Sequence, residues 1–162
     1  MTVRFHHETF IEAPAEIVFD LSLDIDVHRS SMSASKERAV AGVTTGRIGV
    51  GETVTLRATH FRIPFTMTSK VTVLERPHRF VDEQVRGPFR SFRHEHLFDA
   101  VAGGTRMVDR VRFDAPLGPI GKLAERAVLA GYLERLIALR GDHLKAAAER
   151  ERGDPGGSPH PC

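Results

Sequence analysis

The side chains that could do chemistry gather around one short run, Phe92-Arg93-His94-Glu95-His96-Leu97-Phe98. If this run is a strand, His94 and His96 share a face with Phe92 and Phe98, because side chains alternate along a strand. Glu83 lies on the segment before it, Asp109 on the segment after, and His60 further upstream. A histidine next to a carboxylate can shuttle a proton, or it can orient the polar end of a ligand. His94, Glu83 and Asp109 are therefore the catalytic candidates. The ligand-binding candidates are His60, Phe65, Glu83, Phe92, His94, His96, Phe98 and Asp109. His94-x-His96, completed by His60 or Glu83, also has the residue types of a three-ligand metal site. Two cavity-wall histidines bonded to their neighbours explain the pair without an ion, so no metal is expected.

These residues need a scaffold, and hydrophobic periodicity outlines it. Val3 to Ala13 alternates with period two, as a strand does. Pro14 can open a helix, and Ala15 to Leu21 supplies a short one. Asp24 or Asp26 can cap a second short helix running through Val27 to Met32. Strands are then expected over Glu37–Val43, Glu52–Phe61, Pro64–Glu75, Arg79–Val85, Phe89–Ala100 and Thr105–Asp114. Turns at Arg76-Pro77-His78, Gly87-Pro88 and Gly103-Gly104 separate the later ones. Short connections imply antiparallel hairpins. A long helix from about Ile120 to Glu149 closes the chain, with Gly131 and Gly141 as sites of a bend or a close contact. Gly153–Cys162 is low in complexity, with three prolines and three glycines. The expected division is a domain over 1–150 and a disordered tail over 151–162.

Turn lengths then set strand register. A two-residue turn at Gly87-Pro88 puts Phe92 opposite Glu83 and His94 opposite Val81. The Gly103-Gly104 turn puts Phe98 opposite Asp109 and His96 opposite Val111. The earlier turns put Val71 opposite Glu83 and His60 opposite Phe65. Together these registers send His60, Glu83, His94, His96 and Asp109 to one face, among phenylalanines. So many ionisable groups on an inward face imply hydrogen-bonded pairs, a wet cavity or a site.

Composition narrows the function classes. The chain has 162 residues, 41% hydrophobic and 27% charged, enough for one sizeable core. Its net charge of +2 argues against a dedicated nucleic-acid binder. Arg106, Arg110 and Arg112 form a positive stripe on the outer face, which reads first as a solvated sheet face. The single cysteine, Cys162, excludes an intrachain disulfide and a cysteine-based zinc site. No apolar run approaches the roughly 20 residues of a membrane span, so no stable membrane insertion is expected. The N-terminus lacks the apolar stretch of a signal peptide, and a cytoplasmic location is expected. No Gly-x-Ser-x-Gly elbow marks a nucleophile. Gly46-x-x-Gly49-x-Gly51 reads as a flexible loop that could gate a pocket.

Several stretches carry a family resemblance: Phe10-Ile-Glu-Ala-Pro-Ala-Glu-Ile-Val-Phe19, Gly51-Glu-Thr-Val-Thr55, Glu75-Arg-Pro-His-Arg-Phe80, Gly87-Pro-Phe89, His94-Glu-His96 and Gly104-Thr-Arg-Met-Val-Asp109. With them the sequence resembles the START-like helix-grip superfamily (SRPBCC), polyketide cyclase/dehydrase-like proteins included. The resemblance implies an α+β fold: a curved seven-stranded antiparallel sheet wrapped around a long C-terminal helix, with two short helices after strand 1. It also implies binding of a hydrophobic or amphipathic small molecule, lipid or polyketide-like, between sheet and helix. One alternative is a cyclase/dehydrase-like enzyme in which a pocket histidine works with Glu83 or Asp109. A regulatory interaction module is the other. No cofactor is expected, and a homodimer is left open.

Overall fold

A computed structural model describes residues 2–32, 36–60, 62–114 and 123–153. Strand β1 (Thr2–Ile11) leads into helix α1 (Ala15–Ser22) and helix α2 (Ile25–Ser31). Pro14 stands one residue before α1, where its missing N–H costs nothing. Asp24 caps α2, its side chain accepting from the N–H of Asp26 at 2.8 Å and of Val27 at 3.1 Å. Strands β2 (Arg38–Gly42), β3 (Thr53–His60), β4 (Ile63–Glu75), β5 (Arg79–Arg86), β6 (Ser91–Val101) and β7 (Gly104–Asp114) follow. Helix α3 (Leu123–Gly153) is the last element described. It carries the folded region three residues past the expected boundary at 150. The expected helix start at Ile120 and the expected tail beyond Gly153 lie outside the described residues.

The strands form one antiparallel sheet in the order β1-β7-β6-β5-β4-β3-β2. Consecutive strands pair as hairpins, and β1 closes against β7. The sheet curves around α3, giving the α+β helix-grip architecture with two short helices after β1. Among the described residues, no helix is long and apolar enough to cross a membrane.

Helix α3 meets the sheet through two clusters. Leu144 and Ala148 pack with Ile11, Val18, Phe19 and Phe98. Ile137 packs with Phe92, Val111 and Phe113. At Gly141 the helix presses on β1, where a Cβ would sit 2.6 Å from Thr9 Oγ1. Gly141 is thus a close-contact glycine, while a Cβ at Gly131 would meet open space.

Four registers differ from those that the turn lengths suggested, the first being β4–β5, where Val71 pairs with Asp82 rather than Glu83. Strands β6 and β7 pair His96 with Asp109 and Phe98 with Met107. That is two residues from expectation and leaves the faces unchanged. Strands β3 and β4 pair His60 with Ile63 and Ala58 with Phe65, again with the faces kept. Strands β5 and β6 pair Glu83 with Arg93 and Asp82 with His94. This last shift is a single residue, so it turns β5 over. Its cause is the connection at Gly87-Pro88, which is wider than a two-residue turn. Gln84 spans it, donating Nε2–H to the Phe89 carbonyl at 2.7 Å and accepting from the Phe89 N–H at 3.3 Å. Two bulges in the β4–β5 pairing, between Thr68 and Ser69 and between Val71 and Val73, accommodate the shift.

Candidate functional site

The two core clusters do not close on one another. Between them lies a cavity of about 150 Å³. Its wall draws Val71, Phe80 and Phe92 from the sheet, Leu133, Leu136 and Ile137 from α3, and Leu23 and Ile25 from the α1–α2 corner. The Gly46–Gly51 loop adds Ile48, which is buried and held by its N–H on the Leu23 carbonyl at 3.1 Å. This surface is apolar, with a few polar groups set into it: Ser69, Asp82, His94, Ser22, Arg140 and the pair His28–Glu37. A mostly apolar hollow with few convergent polar groups has the form of a small-molecule site.

The polar strip continues under the wall as a buried cluster. His96 Nε2 lies 3.0 Å from Asp82 Oδ1, and His96 Nδ1 lies 2.8 Å from Asp109 Oδ1. That same Asp109 oxygen is 2.8 Å from His94 Nε2. Carboxylates only accept hydrogen bonds, so both contacts of His96 are satisfied when its ring carries two protons. Phe80 stacks on His96 with centroids 4.0 Å apart, and His94 leans on the other side at 3.8 Å. The strand rows explain this assembly. Val71, Asp82, His94, Val111 and Phe5 form one row across five strands, and Phe80, His96, Asp109 and His7 form the next.

Electrostatics sorts the protonation states. Burial pushes the Asp82 carboxyl up, but its hydrogen bond to His96 and the charges of His94, His96 and Arg140 hold it at about 2. Burial likewise opposes ionisation of Asp109, and the hydrogen bonds from both histidines hold it well below the ordinary carboxylate range. His94 goes the other way. Burial, then the neighbouring His96, push it down to about 4 against the pull of Asp109. At neutral pH His94 is a neutral imidazole. It donates through Nε2 to Asp109, which leaves Nδ1 with the lone pair.

Sequence comparison places this geometry. The profile of the family described as polyketide cyclase / dehydrase and lipid transport matches residues 2–149. The chain belongs to that family. No curated protein matches it. Among solved structures it resembles the Zhui aromatase/cyclase of Streptomyces sp. R1128, at 19% identity and a TM-score of 0.76, covering 98% of this chain and 100% of that one. It is also similar to the di-domain ARO/CYC StfQ from the steffimycin biosynthetic pathway, at 16% identity and a TM-score of 0.76, over 94% of this chain and 52% of that one. A third likeness is the major latex-like protein 151 of Panax ginseng, at 12% identity and a TM-score of 0.67, over 91% of this chain and 97% of that one. These identities speak for the fold alone.

In this member of the polyketide cyclase / dehydrase and lipid transport family, the sequence-derived candidates separate into four groups. Phe92 and His94 line the cavity. His96, Asp109 and Phe98 face inward but lie buried behind its wall: the first two are in the cluster, and Phe98 packs on Phe19 at 5.3 Å. Phe65 shares the face of Met67 but lines a shallow groove by Pro64 and Gly87, away from the cavity. Glu83 is on the opposite face, 3.3 Å from Arg93 Nη1, which corrects its assignment to the site. The side chain of His60 lies outside the described residues. Asp82 takes the place expected of Glu83. The sequence carried a sign of this, since Phe80, Asp82 and Gln84 alternate as regularly as Val81, Glu83 and Val85. Arg140, His28, Glu37 and Ser69 were also missed: Arg140 and His28 lie on helices whose facing depends on tertiary packing and Glu37 precedes β2, whereas Ser69 alternates with Met67 and Val71 on β4, a sign the sequence did carry. The outer arginines are partly paired, Arg106 with Asp99 at 2.8 Å and Arg110 with Glu95 at 3.8 Å.

Asp82, His94 and His96 each offer a ligand atom, all within 4.8 Å of one another. They are two histidines and a carboxylate, as in the set with Glu83, but here the carboxylate lies beside the histidines. However, both nitrogens of His96 already face carboxylates, as does Nε2 of His94. Ligation through those nitrogens would break a buried hydrogen bond.

Proposed function

We propose that this chain binds one amphipathic small molecule, lipid or polyketide-like, in the cavity between the sheet and α3. The observation that carries this reading is the polar strip Ser69–Asp82–His94 set into a mostly apolar wall. Apolar burial would supply the affinity, at roughly 25 cal/mol per Å² removed from water. The polar strip would select which guest fits and in which orientation. Native mass spectrometry of freshly purified protein, joined to displacement of a fluorescent fatty acid, tests it. A co-purifying mass or competitive displacement is expected. Absence of both across a panel of hydrophobic probes would refute the reading.

One observation favours a second reading, an enzyme of the cyclase/dehydrase kind. His94 is neutral, faces the cavity and is oriented by Asp109, an arrangement that suits proton transfer. Its low basicity counts against it. Each pKa unit is about 1.4 kcal/mol, so protonating His94 at neutral pH costs several kcal/mol. We therefore rank the carrier first. The discriminating measurement is turnover of a β-polyketone substrate by the wild type and by His94→Gln. Equal rates would remove the catalytic role.

A further inference from the structure

Ser69 is 5% exposed and lines the cavity from β4. Its Oγ is buried and, among the described residues, has no hydrogen-bond partner. Leaving a buried hydroxyl unsatisfied forfeits its hydration with nothing in return. Such a group is an anomaly unless something enters the site to meet it. Thr9 Oγ1 is orphaned too, but it is wedged against Gly141 and is not part of this cavity's wall. Among the described residues, Ser69 alone combines the missing partner with a place in the wall of this cavity.

Its neighbours define what the guest must offer. Val71 pairs with Asp82, and Ser69 pairs with Gln84 one row along, so Ser69 and Asp82 are diagonal neighbours on adjacent strands. Such diagonals are about 7–8 Å apart at the backbone. Asp82 Oδ1 is held by His96, while Oδ2 retains lone pairs and no proton. His94, next in the row, presents an acceptor in the tautomer that donates to Asp109. The strip itself is therefore rich in acceptors, with Ser69 as its donor; the other strong donor in the wall, Arg140, lies on α3 and gives a hydrogen bond to the Ser22 carbonyl at 3.3 Å.

We infer that Ser69 Oγ and the Asp82 carboxylate together form a subsite for a hydroxyl group carried by an apolar, ring-sized guest. The guest O–H donates to Asp82 and accepts from Ser69. An ether or a carbonyl at that place would bring lone pairs against a carboxylate and lose half of the pair. A bare hydrocarbon would leave Ser69 as it is. This assignment rests on the cavity-binding reading and makes Ser69 a specificity-determining residue.

The test compares 2-naphthol, 2-methoxynaphthalene and naphthalene, three guests of one shape, by titration against wild type and Ser69→Ala. The wild type should prefer 2-naphthol over the other two by about tenfold. Ser69→Ala should bind naphthalene as the wild type does and lose most of that preference. Its melting temperature should be unchanged or higher, because an orphan hydroxyl is removed. Equal wild-type affinity for all three overturns the subsite while leaving the cavity reading intact, as would follow if an ordered water satisfied Ser69. A preference that survives in Ser69→Ala overturns the role of Ser69. Failure of all three to bind overturns the subsite, and the cavity reading falls with it only if the fatty-acid probe does not bind and no mass co-purifies.

Discussion

His94 Nε2 and Asp109 Oδ1 meet at 2.8 Å across β6 and β7, with both side chains buried. The pair is diagonal, because His94 stands opposite Val111 and Asp109 stands opposite His96. One carboxylate oxygen thereby serves two imidazoles. The cavity wall and the buried cluster behind it become a single electrostatic unit, and disturbing one member unbalances the rest.

Asp109→Asn removes the charge on which both histidines rest. Breaking one side of a buried ion pair typically costs about 3–5 kcal/mol. We expect a loss of that order in urea unfolding. A loss below about 1 kcal/mol would show that the cluster does not act as a unit.

Stability should fall with acid in two stages. The folded pKa of His94 is lowered from 6.5 to about 4, so the unfolded chain binds its proton first. The contribution of His94 is complete above the unfolded value and is lost as pH falls from about 6.5 to about 4. Asp82 is lowered from 3.8 to about 2, and its contribution is lost between those values. Asp109 adds to this lower stage. The upper stage amounts to about 3 kcal/mol. Thermal melts from pH 7 to pH 2 check this: His94→Gln should flatten the upper stage and also shrink the lower one, because His94 helps to hold Asp109 and Asp82 ionised. An unchanged upper stage in that variant would assign it elsewhere.

Two inward-facing residues should behave differently. Phe98 is 1% exposed and sits in the cluster beside Phe19 and Phe80, outside the cavity. Phe98→Ala should cost about 3–5 kcal/mol of stability. Met67 is half-buried and lines the cavity. Met67→Ala should cost less than half as much and change the affinity for a displaced fluorescent probe. The reverse ranking would mean that the wall has been assigned to the wrong residues.

Asp24 holds the start of α2, which presents Ile25 and His28 to the cavity. Asp24→Ala should lower stability by about 1 kcal/mol, and Asp24→Ser should restore most of it. Equal losses in both variants would place the role of Asp24 outside the cap.

The sequence was most legible where a local rule is enforced by its own neighbours. Phe92, His94, His96 and Phe98 alternate with Arg93, Glu95 and Leu97, and nothing in the pattern competes with that reading. The caps and hairpin turns similarly placed α1, α2 and the strand order. Strand β5 was illegible for a definite reason. Val81-x-Glu83-x-Val85 and Phe80-x-Asp82-x-Gln84 are both plausible inner faces, and the choice rests on a single residue in the Gly87-Pro88 connection. Gln84 makes that choice through its bonds to Phe89, a contact no periodicity reveals.

The order of elements, the seven-stranded sheet with its covering helix, and the inward pair of imidazoles were determined by the sequence alone. They follow from alternation, capping and turn chemistry, all of which act over a few residues. Tertiary structure alone decided that Asp82 rather than Glu83 meets those imidazoles, that Arg140 joins the wall, and that a hollow remains under α3. The physical reason is that register and packing are sums over distant contacts. A one-residue step in a turn, absorbed by two bulges, exchanges every side chain between the faces of a strand at little cost to its local pattern.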